Sequence, residues 1–233
     1  MCEIRGSIAG ESTERAEIPR RPGGGRRALP SYSQQQLWIF EQLHPGTGTY
    51  NVPDFWRLRG VLNTQALESA VEEVVRRHEV LRTVFTTEGE QAVQRVREAG
   101  TLKVTVEDLS GVEVAQREGQ ARRLAEEEEA KPFDLSEGPL FRARLLRLGP
   151  EEHWLLLNAH HAITDGWSVG VMQREIGEWY RAKTAGEAAA VEELPLQYGD
   201  YAAWQQGWQE REVFPKQLEY WRARRGISSE APA

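Results

Sequence analysis

Apolar residues recur at helical spacing in several stretches of the chain, each preceded by residues that are typical helix caps. In "SYSQQQLWIFEQL", Ser31 and Gln34 have the spacing of a capping box, and apolar residues then follow on one face until "HPGTG". A second helix is expected after Asn63 or Thr64, since both are suitable N-caps. Its apolar face consists of Leu67, Val71, Val74, Val75 and His78. These patterns predict two amphipathic helices in the first part of the chain.

Other stretches alternate between apolar and polar residues or form short apolar runs, which is typical of β-strands. "DFWRLRG" predicts a strand from about Phe55 to Arg59, and "RTVFTTE" and "QAVQRV" predict a hairpin around a Glu-Gly turn. "LKVTVED" predicts a further strand, and "FRARLLRL" and "HWLLLNA" predict two more around "GPEE". Because helices and strands alternate irregularly, and no glycine-rich strand–helix turn of the dinucleotide-binding type occurs, the sequence predicts a mixed α/β domain.

The remaining segments are polar or rich in aromatic residues. Residues 1–28 contain "RRPGGGRR" and few apolar side chains, so we expect a disordered linker there. Residues 113–130 carry Glu–Arg pairs four positions apart, which favour an exposed helix. Ser168 is expected to cap a helix that ends just before Gly186. The aromatic-rich tail from Leu194 onward is expected to be helical and to pack in the core or against another domain.

Composition narrows the class of protein. The chain has 233 residues, of which 39% are hydrophobic and 28% charged, as in ordinary soluble globular proteins. Its net charge of −7 argues against a general nucleic-acid surface, and no apolar run is long enough to cross a bilayer. Cys2 is the only cysteine, which excludes an internal disulfide and a thiolate metal site. We therefore expect a cytoplasmic protein without nucleic-acid or membrane partners.

Candidate chemistry is concentrated in "NAHHAITDGWS" at residues 158–168. Consecutive side chains on a strand point to opposite faces, so one of His160 and His161 is expected to face a cleft while the other is held in the structure. Asp165 can orient an imidazole, and Gly166 leaves room for another molecule. No nucleophile elbow is present, so the pattern indicates acyl transfer by direct attack of an acceptor. A metal site at His161 and Asp165, or a satisfied buried histidine beside a turn, is the alternative.

Four motifs resemble those of condensation domains in nonribosomal peptide synthetases. "HHAITDGWS" resembles the HHxxxDG signature, and "SYSQQQLW" at 31–38 is similar to SxAQxRLW. "RRHEVLRTVF" at 76–85 is similar to RHExLRTxF, and "YGDYAAWQ" at 198–205 to YxDYAxWQ. The motifs occur in family order over most of residues 29–225. The resemblance implies a chloramphenicol acetyltransferase-like fold, with a mixed β-sheet flanked by helices.

The resemblance also implies an activity and its partners. The family joins a donor acyl or peptidyl thioester to the amine of an acceptor amino acid, and the product is an amide. Both substrates arrive on the phosphopantetheine arms of upstream and downstream carrier proteins, so no cofactor is expected to bind the domain directly. By resemblance, His161 is catalytic: it takes a proton from the attacking amine or positions the amine by a hydrogen bond.

The other site residues receive supporting roles from the same resemblance. His160 is expected to be structural, Asp165 to be an ion-pair partner that shapes the loop, and Gly166 to line the channel. Arg77 and Arg82 are expected to support the site through ion pairs, with surface salt bridges as the plainer alternative. Two further residues, Trp167 and Ser168, resemble those of peptide-bond-forming members more than those of epimerisation relatives.

Two departures from the family pattern qualify these expectations. Gln36 stands where the first motif usually has Arg, so any ion pair made by that arginine is absent. The chain is also about half as long as a complete member, and residues 29–233 are expected to form only its N-terminal lobe. The isolated lobe is then expected to be inactive or very weak. A non-catalytic module that docks a carrier protein or a partner lobe, and a self-associating free-standing acyltransferase, remain as alternatives.

Overall fold

A four-stranded mixed sheet forms the centre of the computed structural model, which describes residues 18–21, 25–100, 102–208 and 214–225. Its strands are β2 (Asn51–Arg59), β5 (Val104–Asp108), β6 (Phe141–Gly149) and β7 (Glu152–His160), in the spatial order β2-β7-β6-β5. The β2–β7 and β7–β6 pairs are antiparallel, whereas β5 and β6 are parallel. A smaller antiparallel sheet has the order β1-β4-β3, with strands at Arg27–Ala28, Gln91–Val96 and Thr83–Glu88.

Six α-helices surround these sheets in the part of the chain that the structure describes. They are α1 (Tyr32–Leu43), α2 (Thr64–Arg77), α3 (Val114–Ala130), α4 (Gly166–Ala185), α5 (Tyr198–Trp208) and α6 (Phe214–Arg225). A 3₁₀ turn at Glu79–Arg82 connects α2 to β3. The mixed α/β class predicted from the sequence is confirmed.

Both faces of the large sheet are covered, which explains the nearly continuous apolar run in β7. Leu155 and Leu157 pack in the larger core cluster with residues of α2 and α4, such as Val71 and Ile176. Leu156, between them, packs in a second cluster with residues of α3. Strand residues alternate between two faces, so a strand buried on both of them is expected to be largely apolar. β7 is therefore buried and paired on both sides up to its last residue, His160.

The helix ends agree with the cap signals in three places. Ser31 caps α1 in a complete capping box with Gln34, and Asn63 rather than Thr64 caps α2. Gly186 follows α4 with a φ of 70°, a left-handed conformation that glycine adopts without strain. These local predictions are confirmed.

The predicted boundary of the N-terminal linker differs from the structure. Residues 1–17 and 22–24, and with them Cys2, lie outside the described residues, but the described part of 1–28 packs against the domain. Arg21 has only 7% of its side chain exposed and pairs with Asp200 and Glu79. Ala28 is buried in β1. The Arg-rich composition of this segment predicted a solvated tail. That prediction missed the packing of Arg21, because the carboxylates that pair with it are distant in sequence.

No helix within the described ranges combines the length and the apolar character that a bilayer-spanning segment requires.

Candidate active site

His160, the last residue of β7, is the histidine held within the structure. Its side chain is 1% exposed, and its Nδ1 accepts a hydrogen bond from the Ala162 amide at 3.0 Å. Nε2 lies 3.5 Å from a carboxylate oxygen of Glu41 on α1. Burial, reinforced by the neighbouring His161, lowers the pKa of His160 to about 4. The ring is therefore neutral at pH 7 and carries its proton on Nε2.

His161 follows β7 directly, and the structure exposes it. Its backbone amide donates to the Tyr50 carbonyl at 2.8 Å, and its ring Nδ1 lies 2.8 Å from the Thr164 carbonyl oxygen. A carbonyl oxygen only accepts, so Nδ1 must carry the proton in this hydrogen bond. In the neutral ring, Nε2 is then an unprotonated acceptor without a hydrogen-bond partner among the described residues. This tautomer suits the ring to receive a proton from a molecule that approaches from outside.

The two adjacent histidines thus have opposite environments and opposite tautomers. One points into the core and the other toward solvent, as the alternation of a strand requires. The strand pattern left open which histidine is buried, and the structure buries His160 and exposes His161.

Asp165 is the N-cap of α4, a role that the sequence assigned to Ser168. Its Oδ1 accepts from the Ser168 amide at 2.8 Å and from the Ser168 hydroxyl at 2.6 Å. These hydrogen bonds from Ser168 hold the pKa of Asp165 below its usual value. No ion pair of Asp165 occurs within the described part of the chain, so the expected ion-pair role is replaced by capping. Gly166 is the first residue of α4, and a Cβ there would meet no atom within 4 Å.

We expect Asp165→Ala to lower the free energy of unfolding by about 1 kcal/mol, because two hydrogen bonds at the start of α4 are lost. Asp165→Asn is the matched control, since its amide oxygen still accepts from the Ser168 amide. Urea unfolding of both variants measures the difference. Equal losses in Ala and Asn would contradict a capping role.

A cavity of about 320 Å³ lies beside the first turns of α4. Its polar lining groups are already bonded: His78 pairs with Glu175 at 2.7 Å, and the Tyr198 hydroxyl bonds Ser31 at 3.0 Å. The rest of the lining is mainly apolar and includes Val80, Leu81, Ile163, Val171, Met172, Leu194 and Leu196. This cavity is an apolar space next to the loop that carries His161. Trp167, by contrast, is 81% exposed at the same helix start.

The two arginines of the second motif have different surroundings. Arg77 pairs with Glu175 of α4 at 3.2 Å, with most of its side chain buried, and so ties α2 to the helix that begins at Gly166. Arg82 donates to the Arg97 carbonyl at 2.5 Å instead. No carboxylate of the described residues lies within ion-pair distance of Arg82. The ion-pair expectation therefore agrees with the geometry of Arg77 and not with that of Arg82.

The surroundings of His161 do not favour the metal alternative. Among the residues that the structure describes, no three His, Cys, Asp or Glu side chains are grouped closely enough to hold a metal ion.

The chain matches a family model described as "Condensation domain" over residues 27–230. It belongs to the condensation-domain family. The four motifs between Ser31 and Gln205 are therefore those of a condensation domain of the nonribosomal peptide synthetase type, and the fold is the chloramphenicol acetyltransferase-like one.

A curated relative resembles the chain in sequence, and two solved structures resemble it in fold. The chain is 38% identical over 229 residues to a linear gramicidin synthase protein of Brevibacillus parabrevis, covering 98% of this chain and 3% of that protein. The starter condensation domain of rhizomide synthetase RzmA superimposes with a TM-score of 0.76 at 22% identity, over 89% of this chain and 49% of that one. The X-domain in complex with OxyB from teicoplanin biosynthesis gives a TM-score of 0.75 at 29% identity, over 93% and 47%. The chain thus spans about half the length of each of these two solved structures.

Several residues around the condensation motif were not identified from the sequence. Tyr50 and Thr164 act through backbone carbonyls, which carry no residue-type signal. Glu41, which faces His160, is a buried acid on α1, and neither the capping box nor the apolar face of that helix indicated its burial. Gln34 was recognised as a capping residue, but its contact with the motif loop is long-range.

Proposed function

We propose that this chain is the N-terminal lobe of a condensation domain that forms an amide bond between two carrier-bound substrates. The observation that carries the proposal is the outward Nε2 of His161, fixed by the Nδ1 hydrogen bond to Thr164. The donor is an acyl or peptidyl thioester, and the acceptor is the amine of an aminoacyl group. Upstream and downstream carrier proteins present both on phosphopantetheine arms, so the lobe itself binds no cofactor directly.

The proposed step follows from this tautomer. The acceptor nitrogen attacks the thioester carbonyl, its C–N bond forms, and Nε2 of His161 accepts the proton that the nitrogen loses. The C–S bond then breaks, and the departing thiolate takes the proton from Nε2 of His161, which gives the thiol of the donor arm and restores the neutral ring. His160 and Asp165 do not touch the reacting atoms. His160 accepts a hydrogen bond from the Ala162 amide on the core side of the loop, and Asp165 accepts one from the Ser168 amide in the first turn of α4.

A second lobe is proposed to complete the cleft. Catalysis of this type relies on holding two tethered substrates in reacting geometry, and that requires walls on both sides of His161. His161 is exposed in the present chain, which supplies one side.

The isolated chain is therefore expected to form no dipeptide, or only traces of it. The test is to incubate it with loaded donor and acceptor carrier proteins and to measure dipeptide by mass spectrometry, with a two-lobe domain as the positive control. Robust product from the isolated chain that disappears in His161→Ala would overturn this expectation.

The exposed side chains of α6 favour a second candidate function, a non-catalytic docking module. Phe214, Leu218, Tyr220 and Trp221 are each more than a third exposed. Exposed apolar patches often mark interaction sites. If docking were the function, His161→Ala in a two-lobe domain would leave product formation unchanged, whereas Trp221→Ala would weaken partner binding. Size-exclusion chromatography with light scattering separates a further alternative, a self-associating acyltransferase, from a monomer.

A further inference from the structure

The peptide groups on either side of Ala162 are held by buried side chains. The Ala162 amide donates to His160 Nδ1 at 3.0 Å, and the Ala162 carbonyl accepts from Gln34 Nε2 at 3.0 Å. The side chains of His160 and Gln34 are 1% and 2% exposed, and Ala162 itself is buried. One of these partners precedes the loop in the chain, while the other lies 128 residues away on α1.

The amide of Gln34 has one orientation that satisfies its surroundings. Its Oε1 accepts from the Ser31 amide at 2.9 Å, so Nε2 is the atom that faces the Ala162 carbonyl. Ser31 is in turn bonded to Tyr198 at 3.0 Å, which connects the start of α1 to α5. The donor is therefore fixed in place by contacts outside the motif loop.

The loop between Ala162 and Thr164 sets the tautomer of His161. Ile163 donates its amide to the His160 carbonyl at 3.0 Å, and Thr164 presents its carbonyl to His161 Nδ1 at 2.8 Å. If the Ala162 carbonyl rotates away from Gln34, the Thr164 carbonyl moves relative to the ring. The Nδ1 proton then loses its acceptor.

We propose that Gln34 is a positioning residue for His161, which acts by holding the Ala162 carbonyl so that the Thr164 carbonyl keeps the proton of His161 on Nδ1. Gln34 does not touch the reacting atoms. The inference rests on the proposed catalytic role of His161, but its test requires no substrate and no second lobe. A failure of the test is therefore distinguishable from a failure of the proposed reaction.

The test is a two-bond ¹H–¹⁵N correlation spectrum of the histidine rings in the ¹⁵N-labelled full chain. In the parent protein, His161 is expected to show a protonated Nδ1 and an unprotonated Nε2, and His160 the reverse. In Gln34→Met, which keeps the side-chain length but has no donor, His161 is expected to lose its protonated Nδ1 and to show the tautomer mixture of an unrestrained imidazole. The matched control is Gln36→Met, because Gln36 is exposed on the same helix and the spectrum is expected to stay unchanged.

A folded Gln34→Met variant in which His161 keeps a fully protonated Nδ1 would overturn the proposal. If that variant does not fold, Gln34→Glu is read by the same criterion, because its carboxylate retains the acceptor for Ser31 and lacks the donor for Ala162. If neither variant folds, a through-hydrogen-bond coupling between Gln34 Nε2 and the Ala162 carbonyl carbon decides the question in the parent protein. Its presence supports the contact, and its absence overturns it.

Discussion

Replacing His161 with alanine in a two-lobe domain is expected to lower the rate of amide formation about 10²- to 10⁴-fold, the usual contribution of a general base. The reason is that, of the ring nitrogens of the two motif histidines, only Nε2 of His161 is available to an incoming amine. His160 is buried, and its Nδ1 is already occupied by the Ala162 amide. Quenched-flow or steady-state measurement of dipeptide from loaded carrier proteins gives the rate.

The control for this experiment is His44→Ala, which removes another exposed histidine, at the end of α1. We expect its rate to equal that of the parent domain. His161→Ala is also expected to unfold at nearly the same urea concentration as the parent, because the side chain is exposed. A rate within a factor of about two of the parent, with both proteins folded, would exclude His161 from the proton transfer.

The second large effect is a loss of stability in mild acid that comes from His160. Its pKa is about 4 in the folded protein and 6.5 in an unperturbed imidazole, so between these values the unfolded state binds a proton that the folded state does not. The free energy of unfolding therefore falls as the pH is lowered from 6.5 to 4. At about 1.4 kcal/mol per unit of pKa, the loss from this one group is roughly 3 kcal/mol.

Two other buried groups modify this dependence. Burial also lowers the pKa of His153, so this group adds to the loss of stability as the pH falls from 6.5 toward its lowered pKa. Burial raises the pKa of Glu41, so the folded protein takes up that proton first and recovers part of the stability as the pH falls. Urea unfolding at several pH values between about 4 and about 7.5 measures the sum.

A pair of variants isolates the contribution of His160. Between pH 4 and 6.5, His160→Gln is expected to reduce by about one the number of protons taken up on unfolding. This reduction is expected whatever the stability of the variant at pH 7. His161→Gln, at the neighbouring exposed position, is expected to retain the dependence, because it deletes only the weaker repulsion from the adjacent ring. Identical slopes in the parent protein and in His160→Gln would contradict a neutral, buried His160.

Local chemistry made part of this structure predictable from sequence. The capping box at Ser31 and the glycine at Gly186 were predicted correctly, and Asn63 was one of the two caps expected for α2, because each signal depends on residues within one turn. The start of α4 shows the limit of such signals. Asp165 and Ser168 are both good N-caps. Which of them caps α4 depends on where β7 ends and how long the following loop is, and the sequence pattern does not fix either.

Long-range contacts account for most of what the sequence did not predict. Arg21 lies in a segment of linker-like composition, yet it packs against Asp200, 179 residues away. The adjacent histidines were expected to have opposite surroundings, and the resemblance gave His160 the structural role, but the contact of its ring with Glu41 of α1 joins residues 119 positions apart and has no sequence signal. The tautomer of His161 depends on a backbone carbonyl, and sequence patterns do not report the position of a carbonyl.

The most direct measurement is a crystal structure of a two-lobe domain that contains this lobe, with a stable amide-linked donor analogue and a carrier-bound acceptor amine. The account predicts that the amine nitrogen lies about 3 Å from Nε2 of His161, within hydrogen-bond distance, while Nδ1 remains bonded to the Thr164 carbonyl. An amine seated elsewhere, with Nε2 of His161 covered by protein, would contradict it.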